Sequence, residues 1–173
     1  ITYIKSRNIK RIDYIVISHF HSDHYGELQD VINEFEIKNV ITTDNVDLFS
    51  NEMRKCGNLS FYIYKMSNED DNPNNNSIFM SVFLAQKHYL FTGDSEEERE
   101  KEFVDKYQID IDYLKVAHHG SRTSSSELFL KSVTPTEAFI IVKRNNIHKH
   151  PNDTVIERFN KYNILIFRTD ILG

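Results

Sequence analysis

The chain is 173 residues long, 39% hydrophobic and 27% charged, which suits one soluble globular domain able to bury its own core. Its single cysteine, Cys56, excludes an intrachain disulfide and a cysteine-rich zinc site, and favours a reducing compartment. A net charge of −5 argues against nucleic-acid binding by the whole surface, but leaves room for a local site where a metal handles a phosphate.

No run of 18 apolar residues and no signal peptide is visible. Residues 1–173 are expected to form one domain without membrane contact of its own, cytoplasmic by default unless part of a larger membrane protein. The chain opens on Ile1 rather than Met and is expected to be a fragment of a longer one, whose missing part could carry a signal or membrane segments.

"DYIVIS" (13–18) is β-branched and apolar and reads as a buried strand. "GELQDVINEF" (26–35) places Leu28, Val31, Ile32 and Phe35 at helical spacing. "NVITT" (39–43) reads as a strand, "VDLFSNEMRKC" (46–56) as a helix stopped by Gly57, and "SFYIYK" (60–65) as a strand. Residues 67–77 are polar and contain Pro73, which predicts a loop or disordered tip. "IFMSVFLA" and "HYLFT" flank "QK" as a hairpin. Ser95 with Glu98 forms a capping box for a helix over 95–107, and Ser124 with Glu127 another before "LFLKSV". Strands are expected over 111–117, 137–142 and 164–167, with a helix over 154–162. The fold class is therefore mixed α/β, hairpin-rich first and alternating later.

Seven of the eight histidines fall in three loops, each after a predicted strand: His19, His21 and His24; His118 and His119; His148 and His150. Strand ends of an α/β sheet are where ligands bind. In the first loop the pattern is H-x-H-x-D-H. His19 and His21, two apart, can share one direction in an extended stretch, while Asp23 and His24 face a second point as the chain turns into the helix. That suits two ions roughly 3.5–4 Å apart. Asp94, in "FTGDSE" between a strand and a helix, is a candidate bridge, or alternatively a helix cap. Imidazole and carboxylate donors suit zinc, with manganese or iron as alternatives.

"HFHSDH" and "FTGDSE" resemble the metal-binding motifs of metallo-β-lactamase-fold hydrolases. "NNNSIFMSVFLAQKHYLFTGDSEEE", "YLKVAHHGSRTSSSELFL" and "NNIHKHPNDTVIERF" resemble, in order, the C-terminal hydrolase domain of competence-type DNA-uptake channel proteins and related stand-alone hydrolases. The resemblance runs from about residue 10 to the end. It implies a four-layer αββα sandwich with a dinuclear site at one edge of two sheets. It assigns His19 and His21 to the first metal, and Asp23, His24 and either His118 or His119 to the second, with Asp94 bridging. Neighbours on an extended strand end point opposite ways, so the other of the two histidines is free to contact substrate. Many members have another first-metal histidine before the bridging aspartate. Between Tyr25 and Asp94 this chain offers only His88, in the predicted hairpin, so an under-ligated first site is expected. Little chain precedes "DYIVIS" and "RTDILG" stops short of a final strand, so the chain is a fragment or has a reduced first sheet.

A bound divalent ion brings the pKa of a water from 15.7 towards about 7. On this reading Asp23 and Asp94 are ligands and proton acceptors. Ser121 and Arg122, with the backbone of Gly120, could receive a phosphate, although Arg122 reads equally as a solvated charge. His150, in the basic "VKRNNIHKHP" stretch, could protonate a leaving oxygen, hold a phosphate, or cap the next helix; His148 reads as exposed. Three functions follow: a metal-dependent phosphodiesterase, with DNA as a candidate substrate; a hydrolase of a small ester, lactone or phosphocholine-type substrate; and a non-catalytic metal-stabilised binding domain.

Overall fold

The computed structural model describes residues 1–67 and 70–172. After a short helix, α1 (Thr2–Ser6), the strands β1 (Arg11–Val16) and β2 (Glu36–Ile41) pair in parallel. The crossover between them holds α2 (Ser22–Tyr25) and α3 (Leu28–Glu34), and α3 packs against β2. A second sheet runs in chain order: β3 (Met53–Cys56), β4 (Leu59–Tyr64), β5 (Phe79–Leu84), β6 (Lys87–Phe91), β7 (Tyr113–Lys115), β8 (Glu137–Ile140) and β9 (Leu165–Arg168). Its pairs are antiparallel from β3 to β6 and parallel from β6 to β9. Parallel neighbours need crossovers. These are α4 (Glu97–Lys106), α5 (Glu127–Val133) and α6 (Asp153–Lys161), and α7 (Thr169–Leu172) follows β9.

Strand periodicity explains the layers. Phe79, Leu90, Leu114, Ala138 and Ile140 face Phe103 of α4, Phe129 and Leu130 of α5, and Phe159 of α6. Alternate residues Phe61 and Ile63 face the other way and pack with Ile41, Tyr14 and Val16 of the small sheet. This is the expected αββα arrangement, with the first sheet reduced to two strands among the described residues. Beyond the small sheet, an aromatic row of Tyr89, Tyr113, Phe139 and Phe167 lines a cavity of about 570 Å³, with Lys115 at its wall. No helix among the described residues is long and apolar enough to cross a membrane.

Several local expectations are corrected. Residues 46–56 are not a helix: only Val46–Leu48 forms a 3-10 turn, and Met53–Cys56 is β3. Cys56 pairs with Leu59 across Gly57 and Asn58, and Gly57 has φ +57. A glycine that turns a hairpin and one that stops a helix look alike in sequence. Ser95 does not cap α4. Its N-cap is Glu96, whose N–H donates to Asn75 Oδ1 at 3.0 Å. Ser124 does not cap α5 either: Ser126 does, accepting from the Phe129 N–H at 3.2 Å, while Ser124 Oγ donates to Ala117 and Ser121 carbonyls. The turn joining β5 and β6 is Ala85–Gln86, both at positive φ, one residue before "QK". In the polar stretch 67–77, residues 68 and 69 lie outside the described residues. Pro73–Asn76 forms an ordered 3-10 turn with Asn75 buried, so the end next to β5 is not a disordered tip.

Candidate metal centre

β6, β7 and β8 are adjacent and parallel, so the loops after them are neighbours at one edge of the sheet. They carry Asp94, then His118 and His119, then His150. The loop after β1 joins them through the small sheet, pinned where the Ile78 N–H donates to the Ser18 carbonyl at 2.9 Å. Further backbone ties run from His118 N to Gly93 O at 3.3 Å and from Asn152 N to Gly120 O at 2.8 Å. Gly93 makes close approach possible. At its φ of +57, a Cβ would stand 2.6 Å from Ser77 Oγ and 2.9 Å from Ser18 Cβ.

Ligand atoms of Asp23, His24, Asp94 and His119 lie within 4.8 Å of one another. His24 Nε2 is 3.3 Å from Asp94 Oδ2 and 3.7 Å from Asp23 Oδ2. His119 Nε2 is 3.4 Å from Asp23 Oδ2 and 3.8 Å from Asp94 Oδ2. His119 Nδ1 donates to the Ile141 carbonyl at 2.6 Å, which fixes its proton there and leaves Nε2 turned to the two carboxylates. Ser18 Oγ stands 3.1 Å from Nδ1 of both His19 and His24.

Around this point the Nε2 atoms of His19 and His24, Asp94 Oδ1, and the Nδ1 atoms of His118 and His150 are buried without a hydrogen-bond partner. Buried polar atoms are otherwise almost always satisfied. Imidazole nitrogens and carboxylate oxygens converging in this way fit a divalent cation. Burial, reinforced by repulsion from His24, holds the His19 pKa down to about 4, so the ring is neutral as a ligand must be. Burial opposes ionisation of Asp94, but His24 and Lys115 outweigh it and hold the carboxyl below its usual range.

The sequence matches the model of the metallo-beta-lactamase superfamily over residues 2–71. It is 31% identical over 182 residues to competence protein ComA of Neisseria gonorrhoeae, covering 98% of this chain and 26% of that protein.

The chain belongs to the metallo-beta-lactamase superfamily.

It spans about a quarter of the length of the curated relatives it matches, which are 25% to 31% identical. Two solved structures share the fold. One is CmlA, a diiron beta-hydroxylase from Streptomyces venezuelae: TM-score 0.61, 11% identity, covering 92% of this chain and 44% of that one. The other is a putative zinc-dependent hydrolase of the metallo-beta-lactamase superfamily from Thermotoga maritima: TM-score 0.51, 14% identity, covering 88% and 71%.

Within this superfamily domain the structure brings together most of the expected residues. Asp23, His24 and Asp94 converge, and His119 rather than His118 joins them. The expectation that these two neighbours diverge on an extended strand end is corrected. Both have positive φ, 47° and 53°, in a left-handed turn. His118 Nδ1 instead lies 3.6 Å from Glu96 Oε1. His19 and His21 stand beside the cluster, with ring centroids 4.7 Å apart and His24 4.2 Å from His19, but neither is among the four grouped donors. His88 is elsewhere, bonded to the Asp110 carbonyl and Ser81 Oγ, both at 2.7 Å. Ser121 is buried on Thr123 Oγ1, and Arg122 is exposed without an ion pair to another described residue. His150 is half-buried, 5.8 Å between ring centroids from His118 and 5.7 Å from exposed His148. It does not cap α6; Asn152 does.

Sequence reasoning missed Ser18, Ser77, Glu96 and Lys115. Ser77 Oγ accepts from the Asp94 N–H at 2.9 Å and lies 3.4 Å from His19 Nδ1. Two amides, Asn72 and Asn74, hold Glu96 at 3.1 and 3.2 Å. The contrast between four grouped donors and a bare histidine pair has a measurable result. Zinc titrated into chelator-treated protein is expected to bind in one tight step, at Asp23, His24, Asp94 and His119, and in a second weaker step at His19 and His21. Two equally tight steps would mean that the pair has a further ligand.

Proposed function

We propose that this domain is a metal-dependent hydrolase of phosphodiesters, DNA among them, and that residues 1–173 act as one hydrolase unit of a longer protein. The observation that supports it most is His119: its Nδ1 proton is committed to Ile141, so Nε2 meets Asp23 and Asp94 as a ligand would. A divalent ion held there, zinc, manganese or iron, would polarise a substrate oxygen and lower the pKa of a water. Asp94, His24 and His119 orient from buried or half-buried positions. Asp23, exposed on α2, is placed to accept a proton as well as to ligate. Lys143, Arg144 and Lys149 are exposed on the loop that carries the half-buried His150, and their charge favours a phosphate-bearing substrate. The competence name of a relative agrees with nucleic acid as the polymer.

A second reading has its own observation. A cavity of about 810 Å³ borders His19 and His21 and is lined by Asp44, Asp47, Phe20 and Tyr64 together with Lys65 and Arg99, Lys65 being paired with Asp47 at 3.2 Å. The Asp44 carboxylate and the aromatic faces suit a cationic head such as choline, which keeps a phosphocholine-type ester in contention. Manganese- or zinc-loaded protein should cleave a bis-nitrophenyl phosphodiester and DNA, and lose both activities in chelator. Hydrolysis of phosphocholine esters with no cleavage of DNA would move the assignment to the second reading.

A further inference from the structure

Lys115 is a side chain at this site to which the sequence reading gave no role. It follows the fully buried Leu114 on β7, and so points to the opposite face of the sheet. Its side chain is 15% exposed, and that of Asp94 is 4% exposed. Lys115 Nζ donates to the Gly93 carbonyl at 3.1 Å and lies 3.7 Å from Asp94 Oδ1. The other oxygen, Oδ2, is the one turned to His24 and His119. The two oxygens of one carboxylate are thus divided between a fixed cation and the metal-binding donors. No other cationic lysine or arginine among the described residues makes an ion pair with Asp94.

We propose that Lys115 is a positioning residue of the metal centre: its hydrogen bond to the Gly93 carbonyl fixes an ammonium 3.7 Å from Asp94 Oδ1, and that charge holds Oδ1 on its side and leaves Oδ2 turned to the ion. The proposal rests on the metal reading of the cluster and adds to it a denticity and a residue that is not itself one of the grouped donors. Carboxylates that bind metals are commonly held by a neighbour in this way, and losing such a neighbour typically weakens metal binding about 10- to 100-fold.

The sign of the effect separates positioning from mere proximity. A lysine ammonium close to a divalent ion repels it. If Lys115 were only a nearby charge, its removal would tighten metal binding. If it positions Asp94, removal weakens binding despite the lost repulsion. Lys115→Met suits the test, because a flexible apolar chain of similar length fits the wall of the cavity formed by Tyr89, Tyr113 and Phe139. Zinc and manganese affinities are measured by competition with a chromophoric chelator, in wild type and Lys115→Met at one pH and ionic strength. The expected result is about a 10- to 100-fold weaker first step in the variant. Equal or tighter binding overturns the proposal. Wild-type protein that binds no ion would overturn the metal reading itself, which is a different failure. Should Lys115→Met fail to fold, crystals of zinc-loaded wild type decide. Zinc on Oδ2 with Lys115 beside Oδ1 upholds the proposal. Chelation through both oxygens, or Lys115 turned to solvent, overturns it.

Discussion

Asp94→Ala is expected to remove both the tight metal-binding step and hydrolysis of every substrate. The carboxylate is buried, and its Oδ2 lies within 3.8 Å of the Nε2 atoms of His24 and His119. Without it the cluster keeps one carboxylate, Asp23, which is exposed and on a four-residue helix. The Lys115 ammonium is also left near the donors without its counter-charge, which further disfavours a cation. Asp94→Asn should fail almost as completely, since an amide keeps the shape but is a far weaker ligand. Metal content after dialysis, measured beside turnover on a nitrophenyl phosphodiester, checks both statements. A variant that kept its metal and lost only activity would make Asp94 a catalytic group rather than a ligand.

His150→Ala is expected to behave differently: metal retained, turnover reduced roughly 10²- to 10⁴-fold on poor leaving groups, the range for a lost acid or base. His150 is not one of the grouped donors, and the Asn146 side chain and the backbone tie between Asn152 and Gly120 hold its loop against the site. A nitrophenyl leaving group needs no proton and should be little affected. Burial, with His118 and His148 nearby, holds the His150 pKa below 6.5. A proton donor with a lowered pKa is charged only in acid. The advantage of wild type over His150→Ala should therefore be largest in acid and shrink as pH rises through the range below 6.5, before neutrality is reached. Loss of metal in the variant would make His150 a ligand, and loss of neither metal nor rate would leave it no role in the reaction.

What the sequence made legible depended on how local the signal was. β1, β4 and β6 were readable because apolar β-branched and aromatic runs have few other uses. H-x-H-x-D-H was readable because so many donors in so few positions are costly unless they bind something. The two capping boxes were not reliable, because Asn75 and Ser126 reach the helix N-termini first and only the folded chain shows that they do. The choice between His118 and His119 turned on a left-handed turn that neither histidine signals. Lys115 was hidden for a plainer reason: alternation along "YLK" gives its face of the sheet, but not that Gly93 and Asp94 follow the end of the adjacent strand, β6.

Ser18 touches Nδ1 of His19 and of His24 with a single hydroxyl. That oxygen has two lone pairs but only one proton to give. If both rings donate into it, both present bare Nε2 atoms to the centre. If the hydroxyl donates to one ring, that neutral ring must carry its proton on Nε2 and cannot ligate. The orientation of one serine proton thus correlates the tautomers of two histidines. The site counts its available nitrogens through a residue that binds no metal.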